Sequence, residues 1–217
     1  MDIKACIFDL DGVIVDTAKY HYLAWKRLAN EMGFDFTEAD NERLKGVSRM
    51  RSLDILLEIG NKEISQSEKE VAATKKNEWY VDFIIKLKPE EILPGVQEFL
   101  DELQAKGIKI ALGSASKNAR LILDGLKLAN YFDAIVDGTK VSNAKPDPEV
   151  FLKGAKDLGL KPEECIVFED AQAGVEAAIN GGMPCVGIGS EDNLKGAGFV
   201  MPGFDGIGFD EVVKRLA

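Results

Sequence analysis

Two carboxylates, Asp9 and Asp11, stand one residue apart behind the apolar run of residues 5–8, with Gly12 following. In extended backbone, residues i and i+2 point to the same side, so both could enter one crevice. A polar strand exit turning at Gly12 would leave the same letters, whereas an EF-hand loop is excluded because its pattern needs a third ligand before the glycine. Three more polar groups follow apolar runs: Ser114-Ala115-Ser116 after 108–113, Lys145 in "VSNAKPDP" after 134–136, and Glu169-Asp170 after 165–168. Taken singly, the serines or Asp170 could cap helices, and Lys145 could be a solvated loop charge. Brought to one edge, they define a chemistry. Carboxylates in excess imply a hard cation such as Mg²⁺, while hydroxyls, backbone N–H groups and a lysine imply an oxyanion such as phosphate. A metal, a phosphate and a carboxylate nucleophile make phosphoryl transfer.

The elements that would position these groups are legible around them. Runs 5–8, 108–113, 134–136, 165–168 and 184–189 are continuously apolar rather than alternating, as in parallel strands covered on both faces. Val96, Phe99, Leu100 and Leu103 fall at helical spacing and stop at Lys106-Gly107. Ala119, Ile122, Leu123 and Leu126 follow the serines in the same pattern, as do Phe209, Val212, Val213 and Leu216 at the end of the chain. A helix is also expected to begin near Gln172. This alternation predicts a doubly wound, mainly parallel α/β sheet whose ligands bind at the C-terminal ends of the strands. Residues 16–92 depart from it, with helical patterns such as "SLDILLEIG" and 65–86 and no convincing strand. Pro89, Pro94 and Gly95 interrupt helix at their far boundary. The expected organisation is an α/β catalytic core of residues 1–15 and 93–217, overhung by a helical cap of residues 16–92.

Composition excludes several alternatives. The 217 residues are enough for one large domain or a core with a smaller insertion, and 46% hydrophobic with 29% charged residues describes a globular chain with a real core. A formal charge of −10, from 37 acidic and 27 basic residues without a basic cluster, argues against nucleic-acid or anionic-membrane partners. No apolar run approaches the roughly 20 residues of a membrane span, and Asp2 and Lys4 are out of place in a signal peptide. A cytoplasmic location is expected. Cys6, Cys165 and Cys185 lie in apolar runs without ligand spacing, as buried reduced thiols would.

"FDLDG", "GSAS", "AKPDP" and "FEDAQAGVEAA" resemble, in order and at the right strand ends, the four motifs of the haloacid dehalogenase superfamily. "DTAKYHYLAWKRLA", "LKGVSRMRSLDILL" and "KKNEWY" resemble the cap of its β-phosphoglucomutase subfamily. The resemblance implies conversion of β-glucose 1-phosphate to glucose 6-phosphate through an aspartyl phosphate and β-glucose 1,6-bisphosphate, or, on the same core, a sugar-phosphate phosphatase. It assigns Asp9 as nucleophile, Asp11 as general acid/base, and Ser114 and Lys145 as grips on the transferring phosphoryl group. Mg²⁺ would be held by the Asp9 carboxylate, the Asp11 carbonyl and Asp170, with Glu169 beside them. Arg49, Ser116, Lys117 and Asn118 match the site for the phosphate that is not reacting, and a guanidinium fork suits that dianion. Lys45, Gly46, Val47 and Ser48 match a loop that meets the sugar hydroxyls. His21 and Lys76 match positions coupling cap closure to the general acid/base, although a lone histidine on an amphipathic helix can be purely structural. Thr17 and Trp25 match hinge and sugar-side positions. The implied partner is a small phosphosugar, and the chain is expected to act as a monomer.

Overall fold

The apolar runs become a parallel sheet. The computed structural model describes residues 1–44 and 46–217, so Lys45 lies outside the described residues. Among the described residues the strands are β1 (Ala5–Phe8), β2 (Lys109–Gly113), β3 (Ala134–Val136), β4 (Cys165–Glu169), β5 (Cys185–Ile188) and β6 (Phe199–Met201). They lie in the order β3-β2-β1-β4-β5-β6, every pairing parallel. The edge strand β6 matches β3 in length and burial but is flanked by Gly196, Gly198, Pro202 and Gly203, which read as loop. The chain winds outward from β1 to β3, then from β4 to β6 on the other side. β1 therefore stands where the winding reverses, and the crevice beyond its C-terminal end is where such sheets bind ligands.

Alternate residues of the central strands feed two cores. Cys6, Phe8, Ile110, Leu112, Ile166 and Phe168 join one face with α5 (Val96–Ala105), α6 (Ala119–Gly125) and α9 (Phe209–Leu216). Ala5, Ile7, Ala111, Cys165 and Val167 join the other with α7 (Glu149–Leu158) and α8 (Gln172–Asn180). Burial on both faces is why these strands read as unbroken apolar runs. The helical stripes read from the sequence are the buried faces of α5, α6 and α9. Cys6, Cys165 and Cys185 are free and buried.

Residues 16–92 fold as α1 (Ala18–Glu31), α2 (Glu38–Glu42), α3 (Arg49–Ile59) and α4 (Gln66–Ile84), followed by a short 3₁₀ turn. Local chemistry sets their starts. Ser65 and Glu68 form a reciprocal capping box ahead of α4, and Thr37 and Asp40 do so ahead of α2. Trp25, Leu28, Phe36, Leu53 and Leu56 build a third cluster between these helices, while Tyr80 and Ile84 join the cluster on the sheet. Val15 bridges to Ile92 antiparallel and the Leu93 N–H donates to the Ile14 carbonyl at 2.9 Å, so the two crossings between core and insertion run side by side. Among the described residues no helix is long and apolar enough to cross a membrane.

Candidate active site

Phe8 and Phe168 stack in register, ring centroids 4.9 Å apart and planes 9° apart, on the adjacent strands β1 and β4. The residue after each is a carboxylate, Asp9 or Glu169. Lys145 Nζ donates to Asp9 Oδ1 at 2.6 Å and to Glu169 Oε2 at 2.8 Å, with its side chain only 1% exposed, and the Phe151 ring centroid lies 4.6 Å from that nitrogen. Burial opposes the ammonium, but the charges of Asp9 and Glu169 outweigh it and hold Lys145 above its ordinary value. Glu169 is pushed up to about 7 by burial and by the charge of Asp9, against the pull of Lys145 and of the Ala171 N–H.

Asp9, Glu169 and Asp170 each bring an oxygen to within 4.8 Å of the others. Lys145 pairs with two of these carboxylates, and an all-oxygen donor set is the kind that holds Mg²⁺. Gly12 keeps the cradle open: at φ +78° its backbone favours glycine, and a Cβ there would lie 2.1 Å from Asp170 Oδ2. These residues fit a divalent cation.

Asp11 stands just beyond the first strand, at an isolated β-bridge. β1 ends at Phe8, and Asp11 lies in a turn, bridged to Val15, with the Gly12 N–H donating to the Val15 carbonyl at 2.8 Å. The turn gives the two carboxylates different surroundings. Asp9 faces an ammonium, whereas Asp11 Oδ1 accepts from the Thr17 hydroxyl, which accepts from Tyr80 OH at 3.1 Å. Burial and the charge of Asp9 push Asp11 up to about 7, opposed by Thr17, Lys145 and Lys76. A carboxyl in that range can both give and take a proton near neutral pH.

Two helices of the insertion present their polar groups at i, i+4 spacing: Thr17, His21 and Trp25 along the start of α1, Lys76 and Tyr80 on α4. Lys76 Nζ is 2.8 Å from His21 Nδ1, and 4.4 Å and 4.8 Å from the ring centroids of Trp25 and Tyr80. Burial and the charge of Arg49 push Lys76 well below its ordinary value, and burial with the charges of Lys76 and Arg49 does the same to His21. Trp25, matched to a sugar-side position, is 2% exposed and joins the third cluster, with its ring beside Lys76.

The loops after β2 and before α3 complete the surroundings. Ser114, buried at the end of β2, accepts from the Ser116 N–H at 3.1 Å, and Ser116 Oγ accepts from the Asn118 N–H at 3.2 Å. The serines therefore shape a turn, and the helix they were expected to open starts only at Ala119. Lys117 is exposed. Asn118 Nδ2 donates to Asn77 Oδ1 on α4 at 2.9 Å, a direct link to the insertion. Gly46, at φ +70°, makes a second close approach, since a Cβ there would lie 2.9 Å from the Cβ of Ala171, next to Asp170. Val47 packs on the third cluster, and Ser48 caps α3 by accepting from the Arg51 N–H at 3.3 Å. Arg49, partly buried at the first turn of α3, forms no ion pair among the described residues, and burial lowers its pKa. Lys45 lies outside the described residues. Sequence reasoning missed Tyr80 and Asn77; the i, i+4 pairing of Lys76 with Tyr80, facing that of Thr17 with His21, was the available signal for the first.

Comparison with known proteins identifies the family. The Bacillus subtilis protein named β-phosphoglucomutase is 45% identical over 201 residues, spanning 92% of this chain and 89% of its own. A phosphorylated carbohydrates phosphatase of Thermotoga maritima is 37% identical over 184 residues, 83% of this chain and 82% of that one. The crystal structure of β-phosphoglucomutase from Clostridium difficile, 45% identical, superposes with a TM-score of 0.95, covering 99% of this chain and 97% of that chain. The family model for haloacid dehalogenase-like hydrolases matches residues 3–182, a span that holds β1 to β4 and the residues at their ends. The chain belongs to the haloacid dehalogenase-like hydrolases.

Proposed function

We propose that the chain interconverts β-glucose 1-phosphate and glucose 6-phosphate, through an aspartyl phosphate on Asp9 and a β-glucose 1,6-bisphosphate intermediate. The 45% identity to β-phosphoglucomutases, in sequence and in structure, supports the substrate. In this reading the Asp9 carboxylate attacks phosphorus while the bond from phosphorus to the sugar oxygen breaks, and Asp11 protonates that oxygen. In the return step Asp11 takes the proton of a sugar hydroxyl as it attacks the phospho-Asp9 group. Lys145 and Ser114 hold the equatorial phosphoryl oxygens, where charge is spread in the transition state. Mg²⁺, held by Asp9, Asp170 and the Asp11 carbonyl with Glu169 beside them, supplies charge neutralisation when bound. Residues 16–92 act as a cap over the crevice, and its closure excludes water, the competing nucleophile.

A phosphatase reading draws support from the 37% identical phosphatase. The observation that favours the mutase is Arg49, a partly buried guanidinium with no ion pair among the described residues. In this reading it takes a second phosphate, together with Ser116, Lys117 and Asn118. The deciding experiment supplies β-glucose 1-phosphate, Mg²⁺ and a trace of the bisphosphate and identifies the products. Glucose 6-phosphate should accumulate with inorganic phosphate as a minor leak, Asp9→Asn should abolish both, and Arg49→Ala should raise the ratio of phosphate to glucose 6-phosphate. Phosphate release as fast as substrate disappearance in the wild type would reject the mutase.

A further inference from the structure

Tyr80 lies on α4 with no exposure at all, in a place where phenylalanine would fill nearly the same volume. Its hydroxyl is nevertheless engaged, donating to Thr17 Oγ1 at 3.1 Å, and Thr17 donates onward to Asp11 Oδ1. Thr17 occupies the N-cap position of α1, where a threonine ordinarily accepts a backbone N–H of the first turn. Here it makes no such bond, and Asp16 takes the Ala18 N–H at 3.0 Å instead. The threonine hydroxyl is thus diverted from its helix to the carboxyl.

A threonine hydroxyl has one proton to give and two lone pairs to offer. With Tyr80 donating into a lone pair, the remaining proton is directed at Asp11. Without that donor, Thr17 is free to turn its oxygen to the N–H groups of α1. Tyr80 is itself fixed, its ring stacked on His21 with centroids 4.0 Å apart and planes 25° apart. The chain of hydroxyls runs from a helix of the insertion, through the first residue before α1, to a core carboxylate.

We propose that Tyr80 is a positioning residue for proton transfer: from α4 its hydroxyl orders that of Thr17, and through it the Asp11 carboxyl. The inference rests on Asp11 acting as the general acid/base. Tyr80→Phe keeps the ring and removes only the hydroxyl. Its kcat, read as disappearance of β-glucose 1-phosphate with Mg²⁺ and a trace of the bisphosphate, should fall about tenfold at unchanged KM. Thr17→Val should fall at least as far, and Tyr80→Phe should then cost nothing more, because links in one chain are not additive. Substrate disappearance tests Tyr80 whichever product forms, while product identity tests the mutase reading. A crystal structure of Tyr80→Phe gives a readout independent of turnover, with Thr17 Oγ1 and the Asp11 carboxyl moved beyond hydrogen-bond distance. Wild-type kcat in Tyr80→Phe, a loss that adds in full to that of Thr17→Val, or survival of the Thr17–Asp11 contact would each overturn the proposal.

Discussion

Two lysines are buried near the candidate site, one on each side of the crevice, and their surroundings are opposite. Lys145 of the core sits between the carboxylates of Asp9 and Glu169 and is held above its ordinary pKa against its own burial. Lys76 of the insertion has an imidazole and two aromatic faces for company and the charges of Arg49 and Asp11 pulling in opposite directions, and burial pushes it well down. The first is a fixed cation that pairs with two carboxylates and can grip a phosphoryl group. The second is a charge kept on poor terms, opposed by its burial and by Arg49 and favoured by Asp11. Burial alone therefore says nothing about a lysine's role; the charges within its reach decide it.

The same substitution at both sites breaks the comparison open. Lys145→Met should lower the free energy of unfolding by about 3–5 kcal/mol at neutral pH without divalent cation, because Asp9 and Glu169 are left buried and unpaired. It should also slow turnover by about 10²- to 10³-fold, as loss of an oxyanion partner does. Urea unfolding and product assays measure the two, and a Lys145→Met protein as stable as wild type would sink the ion-pair account.

A second, smaller effect concerns His21, whose folded-state pKa lies well below 6.5. As pH falls below 6.5 the unfolded chain takes up a proton that the folded protein refuses, so stability present above 6.5 is lost. The loss approaches about 1.4 kcal/mol per pH unit for this one group. His21→Asn should show a shallower acid limb than wild type in urea titrations between pH 6.5 and 5, and parallel limbs would remove His21 from the account.

Lys76→Met should do least, leaving stability within about 1 kcal/mol of wild type at neutral pH, because a hydrophobe of similar volume replaces a poorly solvated charge. As pH rises towards 10.5 the unfolded chain still holds the Lys76 proton that the folded protein releases, so wild-type stability should gain on Lys76→Met in that range. A loss of 3 kcal/mol or more, as at Lys145, would erase the distinction between the two lysines.

What was legible in the sequence follows the range of the forces involved. Strands buried on both faces show as apolar runs, and helices started by local caps show at Ser65 and Glu68, so the sheet, the insertion and the four strand ends could be read directly. β6 is as short as β3 but sits among glycines and a proline that read as loop. The turn holding Asp11 depends on backbone bonds between Gly12 and Val15 that no side-chain pattern announces. Serines 114 and 116 have the composition of a helix start, yet they bond the next backbone N–H groups of their own turn. Tyr80 and Asn77 acquire meaning only when α4 meets Thr17 and Asn118, partners 63 and 41 residues away in the chain.

The stacked pair Phe8 and Phe168 bears on how faithfully the chain can assemble at all. Both strands place an aromatic ring and then a carboxylate at their ends, so correct pairing sets ring on ring and acid beside acid. A slip of one residue between β1 and β4 would send each side chain to the opposite face. It would set a ring against a carboxylate and strand a charge in one of the two cores. Phe99 and Phe204 pack against both rings, so they reward only the aligned arrangement. The aromatic quartet thus acts as a proofreading device for folding: a chain that closes its core here has, by the same act, brought Asp9 and Glu169 side by side.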